Sequence, residues 1–326
     1  MVRSASEHVS GVLYIHLDPA AALSANTSNN SSDANTTNLS LCQASSLIKT
    51  IYGKPLTPAS LDVRVILTGF KGLATVPLKT NHAVQKVMID AFPKERLPIF
   101  RNRYKSFLND AEPIVLLHEE DALEVDNIAE NGGTNGKIYK DIVAGGTFDR
   151  IHSGHKILLS EGLLRCTRKF TIGMADGPLL TKKTLKELIE PINVRIEKLS
   201  NLMSDLDPGV EHYLEPIYEP LGPSGRDPDM EMIIVSQETL KGGNYVNKVR
   251  AERNLGVLDV VVIDLVEDAS RDSSVEEEKV SSSSARMRLL GSLLKEPDLS
   301  MTPPSPPYVI GLTGGEHRLI SNLNKP

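Results

Sequence analysis

Ala144-Gly145-Gly146-Thr147-Phe148-Asp149-Arg150-Ile151-His152-Ser153-Gly154-His155 is the stretch whose reading decides the fold. It opens where the apolar run Ile142 to Ala144 ends and closes where a helical pattern, His155 to Cys166, begins, so it reads as strand, glycine turn, helix. Glycines permit close backbone approach. The first N–H groups of a helix have no partner within it, so such a turn suits phosphate oxygens. His152 and His155 aim ring donors at the same anion. A Gly-Gly pair alone would be an ordinary turn; the full string is far more specific.

Outward from this turn, apolar strands at Phe170 to Met174, His212 to Ile217, Met232 to Val235 and Val257 to Val266 alternate with helical segments at Ile192 to Asp205, Tyr245 to Asn254 and Ser283 to Leu294. Alternation of this kind predicts parallel crossovers and an α/β, doubly wound, Rossmann-like sheet with its ligand at the carboxyl ends of the strands. A smaller α/β domain is expected before it: strand Val12 to Ile15, helix Ser45 to Tyr52, strand Leu61 to Leu67, helix Asn81 to Phe92 and strand Pro113 to Leu117. The expected organisation is residues 1–120, with a flexible Asn/Ser/Thr tract at 24–40; a linker at 121–137; the larger domain at 138–296; and a Pro-rich tail at 297–326.

The chain has 326 residues, 35.6 kDa, a net charge of −6 and a mean hydropathy of −0.17. That balance argues against a generally nucleic-acid-binding surface. Every apolar run is broken by Gly, Pro or a charge before the roughly 18 residues needed to span a bilayer, so no integral membrane segment is expected. Two cysteines, Cys42 and Cys166, form neither a disulfide framework nor a zinc site on their own and suit a reducing compartment, so the expected location is cytoplasmic. Sequons such as Asn26-Thr27-Ser28 are then composition accidents. The first ten residues carry one base, Arg3, and one acid, Glu7, which is poor support for a transit peptide, although association with mitochondria stays open.

Lys279-Val280-Ser281-Ser282-Ser283-Ser284-Ala285-Arg286 follows the last strand and starts a helix; its hydroxyls, first-turn amides and an arginine one turn on would form a second anion nest. Arg288 competes with Arg286 for that role. Between Lys137 and Lys183 there are nine Lys or Arg against four Asp or Glu, a basic excess suited to polyphosphates in an otherwise acidic chain. Glu276-Glu277-Glu278 reads as a solvated loop.

The quoted turn resembles the GTFDxxHxGH signature of the nucleotidyltransferase superfamily at every fixed position, and the serine segment resembles the ISSTxxR motif of phosphopantetheine adenylyltransferases, with Ser283 in place of threonine. Val235-Ser236-Gln237-Glu238-Thr239, Gly242-Gly243-Asn244, Asn247 and Arg250 look like the VSxET, GG, N and R of the eukaryotic and archaeal form. Lys137 to Leu294 thus resembles the phosphopantetheine adenylyltransferase domain of the bifunctional coenzyme A synthases. The resemblance implies that ATP and 4′-phosphopantetheine are the substrates, with Mg2+ accompanying ATP and no covalent enzyme intermediate. It implies that His152 and His155 contact the triphosphate, that Gly154 lets adenine or ribose pack closely, and that Thr147 orients the acceptor phosphate. Lys182 or Lys183, between which the sequence does not choose, would bridge the acceptor and α-phosphates, and Arg286 would hold the β- and γ-phosphates. Gly146, Phe148, Ser236, Thr239, Arg250, Ser281, Ser282 and Ser283 complete the implied nucleotide site.

Two other readings use the same residues: a cytidylyltransferase of the same superfamily, which would carry RTEGISTS near its end, and a non-catalytic isoform acting on a protein partner through its amino-terminal half. Tyr308-Val309-Ile310-Gly311-Leu312-Thr313-Gly314-Gly315 resembles the entry to the kinase domain of the bifunctional family. The phosphate-loop pattern then fails: Leu319 and Ile320, or Glu316 and His317 in the alternative register, stand where Gly and Lys are required. A chain truncated before the kinase, lacking that second activity, is the expectation.

Overall fold

The computed structural model describes residues 5–6, 9, 11–16, 40–53, 61–71, 79–90, 101, 104–105, 114–116, 136–264 and 280–293. Most of the Asn/Ser/Thr tract, most of the linker, Glu276 to Glu278 and the Pro-rich tail lie outside them. No helix among the described residues is long and apolar enough to cross a membrane.

In chain order the elements are β1 (Val12–His16), α1 (Leu41–Gly53), β2 (Asp62–Ile66), β3 (Met88–Asp90), β4 (Ile114–Leu116), β5 (Tyr139–Gly146), α2 (Ser153–Arg165), β6 (Cys166–Ala175), α3 (Ile192–Leu206), β7 (Glu211–Ile217), β8 (Met232–Ser236), α4 (Leu240–Glu252), β9 (Asp259–Ile263) and α5 (Ser282–Leu293). β7-β6-β5-β8-β9 form one all-parallel sheet. The chain winds outward from β5 to β7, then returns to place β8 on the other side of β5, so the order reverses between β5 and β8. In open α/β sheets that reversal creates the crevice where ligands bind.

The centre of the sheet is buried on both faces, which is why β5, β6 and β8 contain largely apolar runs. Ile142, Ala144, Phe170, Ile172, Met174, Met232 and Ile234 join Leu159, Leu163, Leu199 and Leu202 of α2 and α3 in one core cluster. Val143, Ile233 and Val235 point the other way, towards Val246 of α4 and Leu258. The doubly wound, Rossmann-like arrangement expected from the strand–helix alternation is therefore present.

The amino-terminal part differs from expectation. β1 and β2 pair in parallel around α1, but β3 and β4 form a separate two-stranded sheet. Residues 83–87 are irregular and Met88–Asp90 is a strand, where helix was expected from Asn81 to Phe92. Ala83, Val84, Val87 and Met88 mimic helical spacing, yet the β-branched Val84, Val87 and Ile89 favour extended chain once β4 supplies a pairing edge.

Residues from both halves of the chain share the first core cluster, and Met1–Arg288 is one compact unit. α2 is buried all round as a result. Its outer face meets α1 and β2: Lys156 Nζ pairs with Asp62 and donates to the Val63 carbonyl at 2.7 Å, and Ser45 Oγ donates to Glu161. Asp205, near the end of α3, accepts from Tyr14 Oη at 2.8 Å and from the Asn81 amide at 2.7 Å and pairs with Arg64. Each buried charge on these helices is met by an opposite one, as burial demands.

Gly162 of α2 lies so close to the sheet that a Cβ there would sit 2.6 Å from the Phe170 ring and 3.2 Å from Ile142 Cδ1. Gly162→Ala is expected to lower stability by about 1–3 kcal/mol through overpacking. A Cβ at Gly243, in α4, meets nothing nearer than 3.4 Å. Gly243→Ala should be neutral or gain up to about 1 kcal/mol of helix propensity. Urea unfolding midpoints at constant slope check both.

Candidate active site at the first strand-to-helix turn

The turn after β5 is strained and over-determined. Phe148 and Arg150 both have φ of 48°, a left-handed conformation unusual for bulky side chains. Between them Asp149 is fully buried, and its carboxylate is satisfied from two directions: Oδ1 accepts from the Glu190 amide at 3.0 Å, and Oδ2 from Arg286 Nη1 at 2.5 Å. Its carbonyl accepts from Ser282 Oγ at 2.6 Å. One residue therefore joins the turn, the loop before α3 and the start of α5.

α2 then begins without a side-chain cap; His152 occupies the N-cap position in extended conformation. The first-turn amides of Ser153 and Gly154 remain available to an anion. The His152 and His155 rings stack at 3.8 Å and 25°, and Phe148 lies 5.2 Å from the His155 ring. A Cβ on Gly154 would stand 3.2 Å from the His152 ring, and one on Gly146 3.0 Å from the Phe148 ring, so at both positions a side chain would press on a ring of the turn. Lost solvation, reinforced by neighbouring His152, holds the His155 imidazole well below its ordinary 6.5.

The remaining predicted residues are placed unevenly around this turn. Ser281, Ser282 and Ser283 do come to it, but their hydroxyls are engaged. Ser281 Oγ caps α5 by accepting from the Ser284 amide at 3.1 Å, Ser282 bonds Asp149, and Ser283 Oγ accepts from Arg286 Nη2 at 3.2 Å. Arg286 is buried, with Nε donating to the Thr184 carbonyl at 3.0 Å. Lys182 and Lys183 are exposed on the loop between β6 and α3. Ser236 and Thr239 stand at the carboxyl end of β8, beside β5, and bond one another at 3.1 Å. Arg250 is fully buried in α4 and donates to the carbonyls of Gly256, Ser224 and Asp227 at 2.6–2.8 Å, so it braces the loops after α4 and before β8.

Asp149 and Arg195 organise the site, and the sequence reading assigned neither. Asp149 stood in plain view inside the quoted string. Arg195 left a subtler signal: it interrupts the apolar stripe Ile192, Ile196, Leu199 of an amphipathic helix, and a cation on that face must be satisfied inside.

Residues 143–288 match the family model described as cytidylyltransferase-like. A phosphopantetheine adenylyltransferase of Pyrobaculum aerophilum is 38% identical over 131 residues, which is 40% of this chain and 83% of the relative. The chain belongs to the phosphopantetheine adenylyltransferase family. A relative of the same description from Saccharomyces cerevisiae is 37% identical over 169 residues, 51% of this chain and 54% of its own length, and an uncharacterised Schizosaccharomyces pombe protein is 34% identical over 40% of this chain and 42% of its own. The chain thus spans about half the length of these two fungal relatives. The cytidylyltransferase-like match runs from β5 into α5 and so contains every site residue from Gly146 to Arg286.

The low affinity of His155 for protons sets a pH dependence. The unfolded chain protonates this side chain near 6.5 and the folded chain does not, so below about 6.5 the unfolded state binds the extra proton and stability falls with pH. His155→Gln is expected to flatten the decline in unfolding free energy between about pH 7 and about pH 5. His212, shifted the same way by burial, remains in the variant as an internal reference. An equal decline in both proteins would contradict the assignment.

Proposed function

We propose that the chain transfers the adenylyl group of Mg2+·ATP to 4′-phosphopantetheine, giving dephospho-coenzyme A and pyrophosphate. The observation that carries this is the uncapped start of α2, with its two stacked histidines, at the carboxyl end of β5. Anions are favoured there by oriented amides and the helix dipole. His152 and His155 would donate to the triphosphate, whose charge would draw their proton affinity upward. Ser236 and Thr239 would wall the nucleotide side of the crevice, Thr147 would orient the acceptor phosphate, and Lys182 or Lys183 would bridge the two substrates.

An acceptor phosphate oxygen attacks the α-phosphorus in line; that P–O bond forms as the bond to the pyrophosphate oxygen breaks. The nucleophile is already anionic, so no base is required, and the protein's contribution is positioning and charge stabilisation. Among the described residues no three His, Cys, Asp or Glu side chains gather as a metal cage. Mg2+ is commonly held through substrate phosphates, so it belongs here with ATP as part of the substrate. The adenylyl-transfer role belongs in this reading to 138–296, with β1, α1 and β2 supporting α2 and α3, and the 1–120 domain would meet a protein partner. The free thiols Cys42 and Cys166 support a reducing, cytoplasmic setting.

The purified chain with Mg2+, ATP and 4′-phosphopantetheine should release pyrophosphate and dephospho-coenzyme A in equal amounts. His155→Ala should lower turnover about 10²- to 10³-fold. Preference for CTP with phosphocholine, or wild-type turnover by the variant, would overturn the proposal.

A further inference from the structure

Three arginines, from the β5–α2 turn, α3 and α5, converge on the backbone of one irregular stretch. Residues 177–190, between β6 and α3, contain only two short 3-10 turns and carry exposed Lys182 and Lys183. Arg150 Nη2 donates to the Leu188 carbonyl at 2.9 Å, Arg286 Nε to the Thr184 carbonyl at 3.0 Å and Arg195 Nε to the Glu190 carbonyl at 2.7 Å. Arg195 does more than the other two. Its Nη1 donates to the carbonyls of Thr147 and Ala175, at 2.8 and 2.9 Å, and its Nη2 to Asp176 Oδ1 at 2.9 Å. One guanidinium, only 1% exposed, thus fastens the ends of β5 and β6 and both ends of the lysine loop.

This use of arginine has a chemical reason. The guanidinium fork offers donors in several fixed directions, whereas a lysine ammonium offers a single centre that cannot reach four acceptors spread over three chain segments. We propose that Arg195 is a positioning residue that sets the separation between Thr147 and the Lys182–Lys183 loop. It acts through the loop backbone without touching substrate. The consequence for catalysis rests on the adenylyl-transfer reading above; the mechanical role does not. A misplacement of about 1 Å in a catalytic group can lower rate about 10²-fold.

Arg195→Lys keeps the charge and loses the fork; Arg195→Met removes both. Lys182 and Lys183 are adjacent trypsin sites, so limited trypsinolysis with mass-spectrometric mapping reads the loop without any assay of activity. Cleavage after Lys182, Lys183 or Lys186 should accelerate at least about tenfold in both variants, with sites outside the loop cut at wild-type rates, because the loop's opening population rises locally. In turnover, kcat should fall about 10²-fold while KM for ATP changes less than about threefold, since none of Arg195's bonds goes to α2. Combining Arg195→Lys with Lys182→Ala and Lys183→Ala should lower kcat no further than the larger of the two separate losses, as expected when one group acts only through the other. Unchanged loop cleavage, multiplied losses, or equal acceleration at every trypsin site would each overturn the proposal. Should the wild-type chain show no turnover, the adenylyl-transfer reading fails and the cleavage pattern still decides the clamp.

Discussion

A carboxylate with no access to water must have its hydrogen bonds met by protein, and the buried position of Asp149 imposes that demand at the most crowded point of the fold. The donors come from Glu190 and Arg286, in segments far apart in sequence, so three pieces of chain are fixed to one another at the carboxyl edge of the sheet. The same demand explains how Phe148 and Arg150 tolerate left-handed backbone: the anchored residue between them leaves little alternative. With the turn locked, α2 starts where its amides and histidines are held close together before any substrate arrives. Such preorganisation is where electrostatic catalysis gains most, because the donors need not reorganise as charge develops.

Support for this edge comes from behind. α2 and α3 lie between the sheet and the β1, α1 and β2 elements, and the interface mixes apolar packing with ion pairs such as the part-buried Lys156–Asp62 and the buried Arg64–Asp205. Burial draws the Lys156 ammonium towards its neutral form, and Asp62 opposes that drift; a lone charge in either place would be costly. Lys156 directly follows His155, so the amino-terminal segment reaches within one residue of the site. It is a buttress for the helix that carries the histidines.

The sheet was legible because parallel strands buried on both faces are mostly apolar, and Ile142 to Ala144, Met232 to Val235 and, apart from Thr171, Phe170 to Met174 are. The turn was legible because Gly, His and a new helix at fixed spacing leave few alternatives. Met88–Asp90 was not, since a three-residue strand declares itself only through a partner, Ile114–Leu116, that local pattern cannot reveal. Side-chain duties were harder still. Arg286 and Arg250 look alike in sequence as cations of helices, yet one is tied to the turn and the other to the loops before β8 and after α4, a difference set by tertiary hydrogen bonds alone. The serine run lies beside the turn, with its hydroxyls bound to neighbours, a pairing that no local pattern announces.

In the proposed reaction, transfer between two substrates held on this preorganised edge is direct and single-step, with no adenylylated side chain between them. Exchange of radiolabelled pyrophosphate into ATP separates the possibilities. Direct transfer puts label in ATP only when 4′-phosphopantetheine or dephospho-coenzyme A is present; label entering ATP in the absence of both, or no exchange even in their presence, would contradict it.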